Sequence, residues 1–347
     1  MALYDRVSDL GFQVEGYDLE LHEMETSSGF TRVSTVISLH GDGKTGRGED
    51  VTYESEEHHE FVDSPTLDLK GEHTIKSFSR ELDEKVLFPN DPESEKSRSY
   101  RRWAFESAAL DLALKQAGTN LSDALKLEYD PVRFVVSTRL GDPPSAERIE
   151  EWLSMNPDLE FKLDPTDEWT LELIEEVAET DSVRVLDLKS MYEGTEVDQE
   201  PDPELYRWVI KEFPDAIIED PAFTEETKPL FEGHKRRVSW DYPITGVESI
   251  ESLPFKPHWL NIKPSRFGTL RSLFDSIDYC IDNGINMYGG GQFELDVGRE
   301  HIHALASLFY PNSPNDVAPS GYNAPEPKEG LPTSPLSPPT DPRGLEW

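Results

Sequence analysis

Between residues 11 and 54 polar and apolar positions alternate around turn signals, as in "GYDLELHEMETSSGFTRVSTVISLHGDGKTGRGED". A period of two predicts strands, here a three-stranded antiparallel meander whose hairpin turn is "GDGKTG". Two longer stretches follow, "SPTLDLKGEHTIKSFSRELDEKVLF" and "SYRRWAFESAALDLALKQAG", and both read as helical, the second closing at Gly118 as a C-cap signal. The N-terminal part is therefore expected to be a small α+β domain.

From about Pro131 the pattern changes. Short apolar runs at Phe134–Val136, Val183–Leu186, Ala216–Ile218 and Trp259–Ile262 alternate with helical stretches such as "TDEWTLELIEEVAET" and "DPELYRWVIKEF". That alternation implies parallel strands joined by helices. Enough βα units fit between Pro131 and Phe309 for a barrel, in which active-site residues sit at the C-terminal ends of the strands. A flat doubly wound sheet is the alternative, but no Gly-rich phosphate turn follows an early strand. Beyond Tyr310 the chain holds ten of its 27 prolines, which excludes α-helix there. Its first part is expected to supply a last short strand, and the remainder an extended arm or a disordered tail.

At 347 residues the chain has room for one large α/β barrel or two ordinary domains. Acidic residues outnumber basic ones 70 to 33, and the net charge of −37 is spread along the whole chain. A whole-surface property of that kind points to solvation in a salt-rich environment, and it disfavours nucleic-acid or anionic-membrane partners, which need clustered Lys and Arg. The single cysteine, Cys280, excludes an intramolecular disulfide and a multi-cysteine zinc site, and its setting "LFDSIDYCIDNG" reads as a buried helix position. The N-terminus has no basic region followed by an apolar run, and no segment reaches about 18 apolar residues, so a cytoplasmic protein is expected. Composition leaves the oligomeric state open, a homo-oligomer included.

The candidate chemistry lies at the ends of the apolar runs: Lys162 in "EFKLD", Asp187 in "VRVLDLK", Glu219 in "AIIED", Asp241 in "VSWDY" and Lys263 in "LNIKP". In a closed barrel these five ends converge on one mouth. Three carboxylates from three strands form an oxygen-rich site for a hard divalent ion, Mg²⁺ or alternatively Mn²⁺. Flanking lysines can act as bases, or as cations that stabilise developing negative charge. The combination suits removal of a proton α to a carboxylate.

These residues resemble the enolase superfamily, in its muconate-lactonising branch, and most of all the o-succinylbenzoate synthase and N-acylamino-acid racemase group. The resemblance rests on "LNIKPSRFG" around Lys263, "GGQFELDVGR" at Gly290–Arg299, "FESAALDLALKQAG" at Phe105–Gly118, "GDGKTGRGED" and "PNDVAPSGYN". It implies an α/β fold, a modified (β/α)7β TIM-like barrel (105–323) under an N-terminal α+β capping domain (1–104), with a Pro-rich tail (324–347). It further implies Asp187, Glu219 and Asp241 as Mg²⁺ ligands, Lys263 as one of two acid/base lysines, and an enediolate formed from a small-molecule carboxylate substrate. A mobile loop at Glu25–Arg32 is implied to contact substrate through Ser28, Phe30 and Arg32, with Gly290 and Glu294 reaching the mouth from the seventh strand. The alternative role for Glu294 is to hold the loop after the seventh strand through backbone contacts.

Three departures bear on the reaction. The group carries Lys-x-Lys on its second strand, whereas "EFKLDP" has Lys162 alone, with Asp164 two residues on. Spacing to Asp187 favours Lys162 as the base, while alignment on Pro165 puts Asp164 in that position. Two opposed lysines would permit racemisation, and one would leave a one-sided elimination. The other departures are Asp241–Tyr242, where the group has Asp-Glu, and the insertion "MYEGTEVDQEPDPE" after Asp187. No His stands in "INMYGGGQ", which lowers the rank of acid-sugar dehydration. His301 and His303 lie in a following helix, in core or surface roles. A non-catalytic barrel that retains the metal is the rival from another class.

The charge reading has a direct test. Raising KCl from about 0.1 M to about 2 M shortens the screening length from roughly 10 Å to under 3 Å and relieves self-repulsion among the acidic side chains. The melting temperature should therefore climb with KCl, and a flat or falling trend in calorimetry would reject a salt-adapted surface.

Overall fold

The computed structural model describes residues 2–26, 30–64, 67–191 and 199–347. β1 (Gly11–Val14) is followed by a three-stranded antiparallel sheet of β2 (Gly16–Glu25), β3 (Thr31–Gly41) and β4 (Lys44–Asp50). The tight turn between β3 and β4 places Asp42 and Gly43 at φ 48° and 66°. Left-handed backbone at both central positions matches the twist of the strands, and Asp-Gly tolerates it. β1 leaves this meander and pairs antiparallel with β5 (Gly71–Thr74), after α1 (Ser55–Asp63).

Among its described residues the stretch expected to be helical from Ser64 to Phe88 is helical only in α2 (Ile75–Asp83). Gly71, at φ 144°, turns the chain into β5, and a reciprocal cap starts the helix at Thr74. There the Thr74 hydroxyl accepts the Ser77 N–H at 3.1 Å and the Ser77 hydroxyl accepts the Thr74 N–H at 2.8 Å.

α3 (Glu95–Gln116) is the long helix foreseen before Gly118, and it lies directly on β4. Gly46 and Gly48 make this possible. A Cβ on Gly46 would come within 2.3 Å of the Ala108 oxygen, and one on Gly48 within 2.0 Å of the Ala104 oxygen. With only hydrogen between the two backbones, residues Glu49 and Asp50 at the end of β4 are held in fixed positions.

After α4 (Leu121–Leu125) come seven parallel strands in serial order: β6 (Val136–Thr138), β7 (Phe161–Leu163), β8 (Val183–Asp187), β9 (Ile217–Glu219), β10 (Val238–Trp240), β11 (Trp259–Ile262) and β12 (Asn286–Gly289). Between them run α5 (Glu147–Met155), α6 (Leu171–Glu179), α7 (Pro203–Glu212), α8 (Val247–Glu251), α9 (Pro264–Phe267) and α10 (Leu270–Asn283), and α11 (Val297–Phe309) follows β12. The β9–β10 connection instead contains two 3-10 turns, Lys228–Phe231 and Lys235–Arg237.

The segment after α11 closes the sheet. Asn315 pairs in parallel with Phe134, ahead of β6, and Asp316 pairs in parallel with Gly290, just past β12. The Val135 N–H donates to the Asn315 oxygen and the Asp316 N–H to the Gly289 oxygen, both at 2.8 Å. Two isolated bridges thus stand where a last short strand was expected from the Pro-rich segment, and they separate a barrel from a flat sheet. The remainder is an extended arm with one 3-10 turn at Ser320–Asn323. Leu336 bridges to Val132, Gly344 to Asn120, and the Leu345 N–H donates to Asp111 Oδ1 at 2.9 Å. Cys280 is buried in α10. His301 and His303 are buried in α11, where burial pushes their imidazoles down to about 3 and about 4. Among the described residues no helix is long and apolar enough to cross a membrane.

Glu49 joins the N-terminal domain to the barrel. Its buried carboxylate accepts the N–H groups of Leu295 (2.6 Å), Asp296 (3.0 Å) and Gly298 (2.9 Å), together with the Ser34 hydroxyl (2.7 Å). These donors begin α11, where the first N–H groups lack partners within the helix. Replacing Glu49 by Ala leaves several buried donors unmet at about 1–3 kcal/mol each, so a loss of roughly 3 kcal/mol or more is expected in urea unfolding. A change below about 1 kcal/mol would show that the carboxylate is not the clamp.

Candidate active site

The parallel registers bring the strand ends together from the sequence upward. β8 alternates Val185 and Asp187 toward the barrel interior, with Leu186 facing the helices, because successive side chains point to opposite faces. Asp187 is level with Glu219, and Glu219 with Ser239, two residues before Asp241. Carboxylate oxygens of Asp187, Glu219 and Asp241 all lie within 4.8 Å of one another, and all three side chains are buried. An all-oxygen, anionic donor set of this size fits a hard divalent ion.

Four cationic side chains meet this triad. Lys162 Nζ lies 2.5 Å from Glu219 Oε1 and 3.3 Å from Asp187 Oδ2. Lys189 Nζ lies 2.7 Å from Asp187 Oδ2. Lys263 Nζ and Arg266 Nη2 approach Asp241 Oδ2 at 2.8 and 3.3 Å. Burial alone would raise all three acids. At Asp187 the neighbouring Lys189 and Lys162, and at Asp241 the neighbouring Arg266 and Lys263, reverse this and hold the carboxyl well below its usual range. At Glu219, burial together with repulsion from Asp187 and Asp241 prevails over Lys162, and its carboxyl is pushed far up. Crowded like charge at the central acid is what a bound cation would relieve.

The expected lysines occupy different depths. The backbone of Lys162 is level with Val185, two residues before Asp187, and its side chain, 2% exposed, reaches up to the carboxylates, with Asp316 of the closing segment 3.5 Å from its amine. Lys263 follows β11 at the rim. Gly290 leaves room for it, since a Cβ there would stand 2.9 Å from Lys263 Cε. Asp164, one residue past the last β7–β8 pair, lies 3.4 Å from Lys189 Nζ, and burial raises its carboxyl despite that amine.

The expected substrate contacts fare unevenly. Ser28 and half of the insertion after Asp187, residues 192–198, lie outside the described residues. Phe30 meets Phe293 edge-on at 5.6 Å, so the β2–β3 loop does reach the loop after β12. Arg32 is corrected: it is 1% exposed, and its guanidinium donates to the carbonyls of Thr52 and Val51 (both 2.5 Å) and Phe293 (3.4 Å). It therefore holds backbone rather than substrate. Glu294, 4% exposed, turns back to accept the Gln292 N–H at 2.9 and 3.0 Å, the loop-holding role left open by the sequence.

Other residues of the mouth escaped sequence reading. Asn261 Nδ2 reaches Glu219 at 3.3 Å, and the Tyr288 hydroxyl donates to Glu219 Oε2. Asp220 accepts the N–H groups of Asp241 and Tyr242, both at 2.9 Å, fixing the end of β10, and burial with the nearby Asp241 and Asp187 carboxylates lifts it to about 7. Lys96, at the start of α3, packs over the Tyr242 ring, and burial beside Arg266 lowers its amine to about 7. The doublet Glu219–Asp220 and the triplet Asp187–Leu188–Lys189 were visible signals. Asn261, Tyr288 and Lys96 carry no local mark of chemistry.

Residues 5–124 match the N-terminal domain, and residues 128–324 the C-terminal domain, of a family described as a domain of unknown function (DUF8230). Among curated proteins the chain is similar to the o-succinylbenzoate synthase of Geobacillus stearothermophilus, 27% identical over 234 residues, or 63% of this chain. The match spans 59% of that enzyme's length, less than two thirds. Among solved structures it is similar to the dipeptide epimerase from Methylococcus capsulatus complexed with Mg ion, with TM-score 0.71 and 17% identity over 96% of this chain and 99% of that one. It is also similar to a member of the enolase superfamily from Listeria innocua, with TM-score 0.62 and 20% identity over 89% of this chain and 86% of that one. At such identities the structural likeness establishes the fold. The chain belongs to the DUF8230 family, and its N-terminal α+β domain and closed parallel barrel have the fold of the enolase superfamily.

Proposed function

We propose that the chain is an enzyme that removes the proton α to a carboxylate of a small-molecule substrate, a lyase or isomerase of the o-succinylbenzoate synthase, racemase or cycloisomerase type. The observation that carries this reading is the position of Lys263, whose amine stands at the rim of a buried three-carboxylate cluster, 2.8 Å from Asp241. The curated relative with o-succinylbenzoate synthase activity and the epimerase of like fold support it.

Asp187, Glu219 and Asp241 would hold a divalent ion, Mg²⁺ or Mn²⁺. When bound, it supplies electrostatic stabilisation of the negative charge that the substrate carboxylate gains as the α-proton leaves. Lys263 is assigned as the proton acceptor, at the rim and within reach of a substrate seated on the cluster. Lys162 lies between Glu219, Asp187 and Asp316, whose negative charge raises its amine's proton affinity against the effect of burial. It is assigned to the charge that develops on the substrate, as a cation that stabilises it or as the second acid/base amine. Asn261 and Tyr288 keep Glu219 oriented.

Two measurements test the assignment. In D₂O with Mg²⁺, a panel of N-acylamino acids and succinyl-substituted carboxylates is screened by NMR for α-deuterium. Wild type should exchange at least one compound, and Lys263→Met should slow that exchange by about a thousandfold. Exchange that survives Lys263→Met would remove the lysine from the chemistry, and no exchange at all would favour a non-catalytic barrel. In calorimetry, Glu219→Gln should weaken Mn²⁺ binding by roughly a hundredfold, as loss of a ligand charge requires. Unchanged affinity would place the ion elsewhere.

A further inference from the structure

Lys189 stands two residues past Asp187, on no regular element, and its side chain is 14% exposed, against 2% for Lys162 and 9% for Lys263. Its Nζ bridges two acids, 2.7 Å from Asp187 Oδ2 and 3.4 Å from Asp164 Oδ2, and so spans the ends of β8 and β7. Its backbone is held at φ 52°, the left-handed region that costs a residue with a Cβ about 1–2 kcal/mol. Surrounding hydrogen bonds impose that conformation. The Leu188 N–H donates to the Glu219 oxygen at 2.9 Å, the Lys189 N–H to Asp187 Oδ1 at 3.1 Å, and the Ser190 N–H to the Asp220 oxygen at 3.2 Å. Non-glycine backbone of this kind also occurs in the ordinary turn at Asp42, so at Lys189 the weight rests on the two acids that its amine bridges.

The geometry sets Lys189 against Lys263. One amine lies on Asp187 and the other on Asp241, the two outer members of the triad, with Glu219 and its strand between them. Lys162 reaches the same Asp187 oxygen at 3.3 Å, but it rises from a backbone level with Val185 and lies nearer Glu219, at 2.5 Å, so the two lysines approach the triad from different sides. Asp164 explains how a long, flexible side chain is aimed: its Oδ2 draws the amine toward β7, while its buried Oδ1 has no hydrogen-bond partner among the described residues.

Resting on the proposed α-proton chemistry, we infer that Lys189 is a further amine that touches substrate, a cation that binds an anionic group of the substrate on the side of the mouth opposite Lys263. Asp164 is its positioning residue. The cationic contact that Lys162 of β7 does not provide on this side is delivered from the end of β8, and the ion pair works as a unit.

The deuterium-exchange assay on the best compound of the panel separates the possibilities. Lys189→Met should raise KM by about ten- to hundredfold, the range of a charge-assisted hydrogen bond, while Lys189→Arg keeps KM within a few fold. Should Lys189→Met fail to fold, the charge-balanced pair Asp164→Asn with Lys189→Asn removes both members and leaves neither buried charge alone. It should melt close to wild type and still show the raised KM. A counter-charge that only serves stability would lower the melting temperature of Lys189→Met and leave KM unmoved, which overturns the inference. If Lys263→Met abolishes exchange but the Lys189 variants match wild type, the inference fails and the α-proton reading stands. If wild type exchanges nothing, both fall.

Discussion

Three carboxylates of one sign, all fully buried within 4.8 Å of each other, are the constraint around which the barrel mouth is arranged. Each ion withdrawn from water costs several kcal/mol unless opposite charge and hydrogen bonds replace the lost hydration. The residues next to the triad answer that demand: Lys162 between Glu219 and Asp187, Lys189 on Asp187, Lys263 and Arg266 on Asp241, and Asn261 on Glu219. Such an arrangement is costly as a folding device, since apolar side chains of similar size would do as well. Its presence above the apolar cluster of Val185, Ile217 and Tyr288 is what marks it as a site.

Holding those charges in place depends on the rigidity of the shell above them. The N-terminal domain touches the loop after β12 at several points, through Glu49 on the start of α11, Arg32 on the Phe293 carbonyl and Tyr53 on Gln292 at 2.8 Å. Asp50, next to Glu49, pairs with the fully buried Arg101 of α3 at 2.7 Å. Two glycines in β4 and two alanines in α3 let strand and helix approach closely enough for these contacts to share one frame. On the far side, Asp220 ties the end of β9 to the end of β10, so Glu219 and Asp241 keep their spacing.

Legibility varied with the range of the interactions involved. The meander of β2 to β4, the helix α3 and the alternation of strand and helix after Pro131 could be read directly, because side-chain period, glycine turns and caps act over a few residues. The departure of β1 to pair with β5, and the shortening of the helix expected from Ser64, could not be read. Both depend on a strand partner some sixty residues away, Gly11 with Thr74. Among site residues the triad stood out, since an acid ending an apolar run breaks the local pattern. Arg32 misled for the opposite reason. A charged residue in a loop-like motif looks available, and only the fold reveals the three carbonyls that take its donors.

By itself the sequence determined that Asp187, Glu219, Asp241 and Lys263 each end an apolar run, because strand length and side-chain alternation are local properties of the chain. Tertiary structure decided which of them meet and at what depth. Closure through Asn315 and Asp316 turns seven serial strands into a ring, and register then ranks the side chains by height. Lys162 starts from a backbone two residues lower and reaches up to Glu219 and Asp187, while Asp164 and Lys189 pair past the strand ends. A shift of one residue in a strand turns each of its side chains to the opposite face. That is why depth in the mouth belongs to the pairing of strands and cannot be assigned from any one of them.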